Sequence, residues 1–287
     1  MKDDANFVAL LGTKGGPAIR AGSTMPTSSL LVLNGQSIVV DCGLGVTRGL
    51  VDQGIALKDL KTIFITHLHS DHYLELGPLL HTAWTAGLKD EVVVYGPKGT
   101  LAYLTYFFMS MQFDIDTRIS DEGRPDIRQL VKVHSFDETL DVTIDGVKVT
   151  ALRNLHPPIE DSFALSFKSE THHVVFSGDT AHLPVLSDFA KGADLLVHEA
   201  MLTEGVEALV ERVGNGDDRL RKHLFASHSR AEEAAQIATS AGVKALALHH
   251  LIPSDDPAFT CDHWRAAVAA HYDGELFIGY DGLRIKL

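Results

Sequence analysis

The segment from residue 62 to residue 80 constrains the fold of this chain more than any other part of its sequence. Residues 62–65 form a short, β-branched apolar run that is typical of a buried strand, and residues 73–80 have the pattern of a helix start. Between them lies Thr66-His67-Leu68-His69-Ser70-Asp71-His72. Three histidines and an aspartate therefore share one strand-to-helix turn.

This turn has the composition of a metal site. Imidazole and carboxylate groups are ligands that zinc and similar divalent cations prefer. Without a cation, burying four titratable groups in one turn has a large desolvation cost. His67 and His69 alternate around one peptide and can converge on one ion, whereas Asp71 and His72 follow where the chain turns and face a second position. The motif therefore predicts a pair of metal ions.

The flanking sequence predicts a layered α/β architecture. Strands are expected at residues 7–11, 28–33 and 37–40, and Asn34-Gly35 is a strong hairpin signal between the last two. A helix at 46–53 and a strand at 92–95 lie on either side of the motif, and Asp145-Gly146 marks a second hairpin. Strands and helices alternate, which favours sheets covered by helices.

Further candidate ligands lie at the ends of predicted strands. His156 precedes two prolines that hold it stiffly, and Asp179 ends a buried strand where a carboxylate can bridge two ions. His249 and His250 end the last core strand, and either one can supply a further ligand. Asp41, at a strand end before a glycine turn, is a candidate to orient a metal-bound histidine.

The motif resembles the metal signature of the metallo-β-lactamase superfamily, and the resemblance to its ribonuclease Z and arylsulfatase-like branch covers nearly the whole chain. The segments that carry it are Leu10-Leu11-Gly12-Thr13, Asp41-Cys42-Gly43, Thr66 to His72, Tyr95-Gly96-Pro97, His198-Glu199-Ala200, Ser227-His228-Ser229 and Leu248-His249-His250-Leu251-Ile252-Pro253. The resemblance implies a four-layer αββα sandwich, with the site at the edge of two packed sheets.

The resemblance also implies roles for individual residues. One ion would bind His67, His69 and His156, a second would bind Asp71, His72 and His250, and Asp179 would bridge the two. Glu199 and His228 would help to protonate the leaving group, Asp71 would take part in catalysis, and His249 would be a structural neighbour. The expected cofactor is two Zn²⁺ ions per chain, with Mn²⁺ or Fe²⁺ as alternatives.

Two ions about 3.5 to 4 Å apart can hold a hydroxide that attacks an ester. We expect a hydrolase of a small ester, namely an aryl sulfate, a phosphoester, or a lactone or carboxylic ester. The net charge of −13 disfavours a nucleic acid partner, and the arm with which ribonuclease Z grips tRNA is not recognisable between His156 and Asp179. Ser227 stands where that family has glycine, and residues 82–84 and 123–126 resemble arylsulfatase-like members.

The same residues admit other functions. A flavodiiron-like redox protein is disfavoured, because such sites typically replace one of these histidines with a carboxylate and no flavin domain follows. The alternative enzyme is a tRNA 3′-processing endonuclease of the ribonuclease Z type, which would bind tRNA in a salt-sensitive manner. A protein that holds its ions structurally is disfavoured, because structural zinc sites are closed by four protein ligands that are commonly cysteines. The expected partner is a small-molecule substrate, and no association with a membrane is expected. The resemblance to the family also admits a homodimer.

Composition favours one globular domain over residues 1–287. The chain is 45% hydrophobic and 22% charged, and no apolar run approaches the roughly 20 residues that span a bilayer. With no signal peptide expected at the N-terminus, the predicted location is the cytoplasm. Cys42 and Cys261 are expected to be buried free thiols.

The aromatic segment 101–133 is expected to lean over the site and line a substrate pocket, or alternatively to pack under a long loop.

Overall fold

Two seven-stranded sheets form the centre of the molecule. The computed structural model describes residues 6–287, and the N-terminal segment in which the sequence predicts no signal peptide lies outside this range. Among the described residues, no helix has both the length and the apolar character needed to cross a membrane.

The first sheet has the strand order β14-β1-β2-β3-β4-β5-β6. Its strands are β1 (Phe7–Gly12), β2 (Ser28–Leu33), β3 (Gln36–Cys42), β4 (Thr62–Phe64), β5 (Val92–Gly96), β6 (Val131–Ser135) and β14 (Leu283–Lys286). Neighbours from β14 to β3 are antiparallel and neighbours from β3 to β6 are parallel. The β2–β3 turn is the predicted one, since Asn34 and Gly35 both have positive φ, at 53° and 76°.

The second sheet has the order β13-β12-β11-β10-β9-β8-β7. Its strands are β7 (Asp141–Ile144), β8 (Val147–Arg153), β9 (Phe163–Lys168), β10 (His173–Phe176), β11 (Leu195–Met201), β12 (Ala245–Ile252) and β13 (Glu275–Ile278). Neighbours from β7 to β10 are antiparallel and neighbours from β10 to β13 are parallel. Each sheet therefore has a parallel part whose strands end at one edge.

Helices cover the outer face of each sheet. Against the first sheet lie α1 (Val46–Asp52), α2 (Ser70–Tyr73), α3 (Leu76–Thr85), α4 (Thr100–Ser110), α5 (Gln112–Glu122) and α6 (Ile127–Leu130). With the second sheet lie α7 (Leu186–Phe189), α8 (Thr203–Val213), α9 (Arg219–Ser227), α10 (Ala231–Ala241) and α11 (Cys261–Ala269).

Three main apolar clusters separate the four layers. Ile63 of β4 packs with Trp84 on the helical side of the first sheet, while its neighbour Phe64 packs in the space between the sheets. There the Phe64 ring meets Phe167 of β9 edge-on, with centroids 5.3 Å apart. Trp264 belongs to the cluster under α10 and α11. The alternation along β4 buries both faces of the sheet, and the predicted αββα sandwich is confirmed.

The aromatic segment 101–133 does not line the cavity beside the candidate site. It forms α4, α5, α6 and the start of β6, and its buried Phe108 and Ile115 join the outer cluster of the first sheet. The Tyr103 hydroxyl donates to the carbonyl of Leu74 at 2.8 Å, so α4 braces the residues that follow the motif. The expectation of a pocket wall is corrected, because part of this apolar surface packs against the sheet and the rest, including Phe113, is exposed to solvent.

Two smaller expectations also change. Ser229 followed by Glu232 matches the sequence pattern that caps a helix N-terminus, but the structure places the cap of α10 one residue later, since the Glu233 carboxylate accepts from the Arg230 N–H at 2.8 Å. The Ser229 hydroxyl instead donates to the carbonyl of Thr180 at 2.7 Å and ties α10 to the site loop. Cys42 is buried as expected, but Cys261 is exposed at the start of α11.

Candidate metal centre

The loops at one edge of the two sheets bring the predicted ligands together. The carboxyl ends of parallel strands meet at one sheet edge, and both sheets present such an edge here. Two groups of candidate ligand atoms result, each with all its atoms within 4.8 Å of one another: His67, His69, His156 and Asp179, and Asp71, His72, Asp179 and His250. All seven predicted ligands therefore lie in one cluster, divided as the resemblance implies.

The first group is built mainly from imidazoles. His69 Nδ1 lies 3.2 Å from His67 Nε2 and 2.9 Å from His156 Nε2. The Asp179 carboxylate is 3.7 Å from His67 and 3.9 Å from His156. Four ligands at about 2.1 Å around a tetrahedral zinc ion lie about 3.4 Å apart. The four side chains are spaced for one ion.

The second group joins two carboxylates to two imidazoles. Asp71 Oδ2 lies 3.5 Å from His72 Nε2 and 3.3 Å from His250 Nε2. Asp179 Oδ2 lies 3.3 Å and 3.0 Å from the same two nitrogens. Asp179 thus contributes to both groups, and its position between them suits a carboxylate that bridges two cations.

Unpaired buried atoms show that the cluster is not satisfied by protein contacts alone. Among the residues that the structure describes, His72 Nε2, Asp179 Oδ1 and His250 Nδ1 are buried without a hydrogen-bond partner. Leaving buried polar groups unpaired is costly, so native proteins rarely do so without a further ligand. The donor set of imidazoles and carboxylates fits divalent metal ions.

The electrostatics of the two groups differ. Burial lowers the pKa of His69 and of His156 to about 4, with a further lowering from neighbouring histidines, so both rings are neutral at pH 7. Burial also lowers the pKa of His67 well below its usual value. Burial alone would lower the pKa of His72, but the nearby carboxylates, above all Asp179, outweigh burial and raise the pKa of His72. The carboxylate-rich group therefore attracts a cation, whereas the imidazole group offers neutral donors.

Outer hydrogen bonds hold the ligand rings in place. His72 Nδ1 donates to the Asp41 carboxylate at 2.7 Å, and that carboxylate also accepts from the Thr66 N–H at 2.8 Å. Asp41 itself has a left-handed φ of 63° at the end of β3. His156 Nδ1 donates to the carbonyl of Ser227 at 2.9 Å. The predicted orienting role of Asp41 is geometrically satisfied.

Glu199 and His228 form a buried pair beside the cluster. His228 Nδ1 lies 3.0 Å from Glu199 Oε2, and the Thr180 N–H donates to the same carboxylate at 2.6 Å. Burial lowers the pKa of His228 to about 4 and, with nearby Asp179, raises the pKa of Glu199. His228 also lines the cavity beside the cluster. His249 instead donates to the carbonyl of Gly12 at 2.8 Å, which is the predicted structural role.

A cavity of about 270 Å³ opens onto the cluster. Its wall includes Lys14, Arg20 and His223, none of which sequence reasoning assigned to the site. The charged sequence of residues 218–223 is typical of a solvated helix face, which fits the exposed Arg221 but not the half-buried His223. His223, Leu220 and Leu224 lie three and four residues apart on α9, and this spacing is the signal that could have identified one wall.

Known proteins resemble this chain over almost its full length. The family model described as anti-Pycsar protein Apyc1 matches residues 8–251. A ribonuclease Z of Mycobacterium sp. (strain KMS) is 34% identical over 282 residues, which cover 98% of this chain and 95% of the relative. A ribonuclease Z of Mycobacterium bovis (strain BCG / Pasteur 1173P2) is 30% identical over 283 residues, which cover 98% of each chain.

Solved structures share the same fold. The metallo-β-lactamase fold protein YhfI of Bacillus subtilis superposes with a TM-score of 0.73 at 22% identity, over 98% of this chain and 99% of that one. The short form of human tRNase Z superposes with a TM-score of 0.67 at 21% identity, over 98% of both chains.

The relatives contradict two expectations from the sequence. Because they are named ribonuclease Z, the prediction of a small-ester hydrolase and the prediction that a nucleic acid partner is unlikely are both wrong. The arylsulfatase-like affiliation is likewise not supported. The net charge of the whole chain was a poor guide, because substrate binding depends on the charges that surround the site. The prediction of a metal-dependent hydrolase is confirmed.

Proposed function

Because this chain belongs to the metallo-β-lactamase superfamily, in the branch of ribonuclease Z and of the anti-Pycsar protein Apyc1, we propose that it is a zinc-dependent endonuclease that processes the 3′ end of tRNA. The observation that carries the proposal is the pair of four-ligand groups that share Asp179 beside the buried Glu199–His228 pair. Relatives named ribonuclease Z that align with 98% of the chain support the substrate class.

Zinc is favoured by the chemistry of the donor set. Five histidines and two aspartates make up the two groups, and no cysteine takes part. His67, His69 and His156 with Asp179 would hold one ion, and Asp71, His72 and His250 with Asp179 would hold the other. When bound, two such ions supply Lewis acidity towards a phosphodiester and lower the pKa of water to near neutrality.

The side chains around the cluster orient the ligands and supply a proton path. The Gly16 N–H donates to Asp71 Oδ2 at 2.9 Å, which holds that carboxylate between His72 and His250. Glu199 is hydrogen-bonded to Nδ1 of His228, and burial raises the pKa of Glu199, so that this carboxyl group can hold a proton. As Nε2 of the neutral ring gives its proton to the oxygen that leaves the phosphate, Nδ1 takes up the proton of Glu199. Protonation of the leaving oxygen avoids release of an unstable alkoxide from the ribose.

The substrate would be held chiefly near its cleaved end. The connection between β9 and β10 consists only of residues 169–172, so no arm extends from the chain between His156 and Asp179. The cavity opens directly onto the cluster and carries apolar residues from α8 and α9. Recognition would therefore rely on the nucleotides next to the scissile phosphate and on the rim formed by these two helices.

The test is cleavage of a precursor tRNA with a 3′ extension by protein loaded with two zinc ions per chain. We expect one cut at the 3′ side of the acceptor stem, and no cut by Asp179→Ala, which removes the ligand shared by both groups. An unstructured RNA of equal length is the matched substrate control. The proposal is overturned if the fully loaded protein leaves the precursor intact, or if it cuts the unstructured RNA equally fast.

A further inference from the structure

Lys14 is a buried basic residue that has no carboxylate partner within the described part of the chain. Lys14 is only 4% exposed, yet it lines the cavity that opens onto the candidate metal centre. Its Nζ donates to the carbonyl of the adjacent Gly15 at 3.0 Å, and within residues 6–287 no other hydrogen bond and no carboxylate within 4.0 Å is found for it. A buried ammonium without a counter-charge is costly, so its retention here calls for a ligand.

The backbone around Lys14 is fixed against the metal ligands. Lys14 N–H donates to the carbonyl of Met25 at 2.9 Å, and Gly15 N–H donates to the carbonyl of Leu251 at 3.1 Å. A Cβ on Gly15 would lie 3.0 Å from the ring of His250, so the loop touches that ligand directly. The position of Lys14 beside the cluster is therefore set by main-chain contacts and does not depend on its own side chain.

The other basic residue of the cavity is already neutralised. Arg20 lies 3.4 Å from the Asp255 carboxylate, which also binds Arg212 at 3.0 Å. Burial lowers the pKa of the Lys14 amine, although Asp255 and Asp71 act in the opposite sense. Lys14 is thus the lysine or arginine of the cavity for which the described residues offer no carboxylate within 4.0 Å, and its pairing with an anion would be strong in this poorly solvated place.

Apolar side chains make up another part of the cavity wall. It is formed by Leu209 and Val213 of α8, Leu220 and Leu224 of α9, and Ile252 of β12. At about 270 Å³ the cavity is at the small end of ligand pockets, so it has room for about one nucleotide and not for a folded RNA. A cation and a set of apolar side chains in one cavity match the phosphate and the base of such a unit.

We propose that Lys14 is a substrate-binding residue whose ammonium pairs with a phosphate oxygen of the nucleotide that occupies this cavity next to the cleavage site. The proposal deepens the proposed function and rests on it for the identity of the substrate. It assigns to Lys14 the role of holding the phosphate, while the ligand cluster and the Glu199–His228 pair carry out the chemistry.

The test compares binding of adenosine 5′-monophosphate to the zinc-loaded protein and to Lys14→Met by calorimetry. A hydrogen bond to a charged group contributes about 1.5–3 kcal/mol, so Lys14→Met should weaken binding by roughly 10- to 100-fold. The zinc content should stay at two per chain and the Tm should not fall, since the variant removes an unpaired buried charge. Lys89→Met, at an exposed lysine, is the matched control and should bind as the unmodified protein does.

The outcomes separate this inference from the proposed function. Equal affinity of Lys14→Met and the unmodified protein for the nucleotide overturns the role of Lys14, even if precursor tRNA is cleaved. Failure of the unmodified protein to bind the nucleotide overturns it as well. Failure to cleave tRNA overturns the proposed function, while a lysine-dependent nucleotide affinity would still support the binding role. If Lys14→Met does not fold, Lys14→Gln, which keeps a polar side chain without the charge, is measured in its place.

Discussion

Asp41→Asn should weaken metal binding in the carboxylate-rich group without changing the fold. The Asp41 carboxylate accepts hydrogen bonds from His72 Nδ1 at 2.7 Å, from the Thr66 N–H at 2.8 Å and from the Thr66 hydroxyl at 2.9 Å. An amide offers one acceptor oxygen in place of two, so at least one donor loses its partner. Asparagine tolerates the left-handed φ of 63° at this position, so the backbone should not change.

The size of the effect follows from the contact that is lost. Residues that orient a metal-bound histidine are typically worth 10- to 100-fold in metal affinity, which corresponds to about 1.4–2.8 kcal/mol. This loss should fall on the group that contains His72, whose ring Asp41 holds directly. His156 is held instead by the carbonyl of Ser227, so the three-histidine group should lose much less.

Zinc affinity is measured by competition with a fluorescent chelator in two backgrounds. In His69→Ala the carboxylate-rich group stays intact, and in His250→Ala the three-histidine group stays intact. Asp41→Asn should act strongly in the first background and weakly in the second. Asp145→Asn is the matched control, because Asp145 has a similar φ of 47° in an exposed hairpin turn. Equal effects in both backgrounds, or none in either, would refute the reasoning.

Three further outcomes are expected. His228→Ala should lower the cleavage rate by about 10²- to 10⁴-fold while metal analysis still finds two ions per chain, and full activity would remove this residue from proton transfer. Native protein at pH 8 should react with Ellman's reagent at Cys261 alone, because burial raises the pKa of Cys42, and two fast thiols would contradict the buried position. In chelator-treated protein, the free energy of unfolding should fall as the pH drops from about 6.5 to about 4. Burial holds the pKa of His69 and His156 at about 4 in the folded protein, so in this pH range only the unfolded chain takes up these two protons. Each histidine should contribute at most about 1.4 kcal/mol per pH unit, and the partly exposed His69 should contribute less. In urea titrations of the double variant His69→Gln/His156→Gln, the free energy of unfolding should depend less steeply on pH. An unchanged slope would contradict the assignment of the effect to these two histidines.

Local chemistry in the sequence was enough to predict the layered fold and the metal ligands of the segment that ends at His72. The turn at Asn34-Gly35 needs residues that accept positive φ, and β4 needs apolar side chains on both faces. Both requirements can be recognised in the sequence, so the turn and the strand were predicted without a structure. The motif that ends at His72 concentrates metal donors on one turn. His156, Asp179 and His250 were placed mainly through the family resemblance, since no spacing along the chain reveals their proximity.

What only the tertiary structure decided depends on distances between segments that are far apart in sequence. Lys14 looks like an ordinary turn lysine until β1 and β12 are seen to hold it beside His250, and His223 looks exposed until α9 packs over the cavity. The aromatic side chains around Phe108 could cover either a site or a sheet, because amphipathic patterns show that a face is buried but not what covers it. Burial and charge pairing are properties of the folded chain, and for that reason the uncompensated cation beside the metal cluster could be recognised only there.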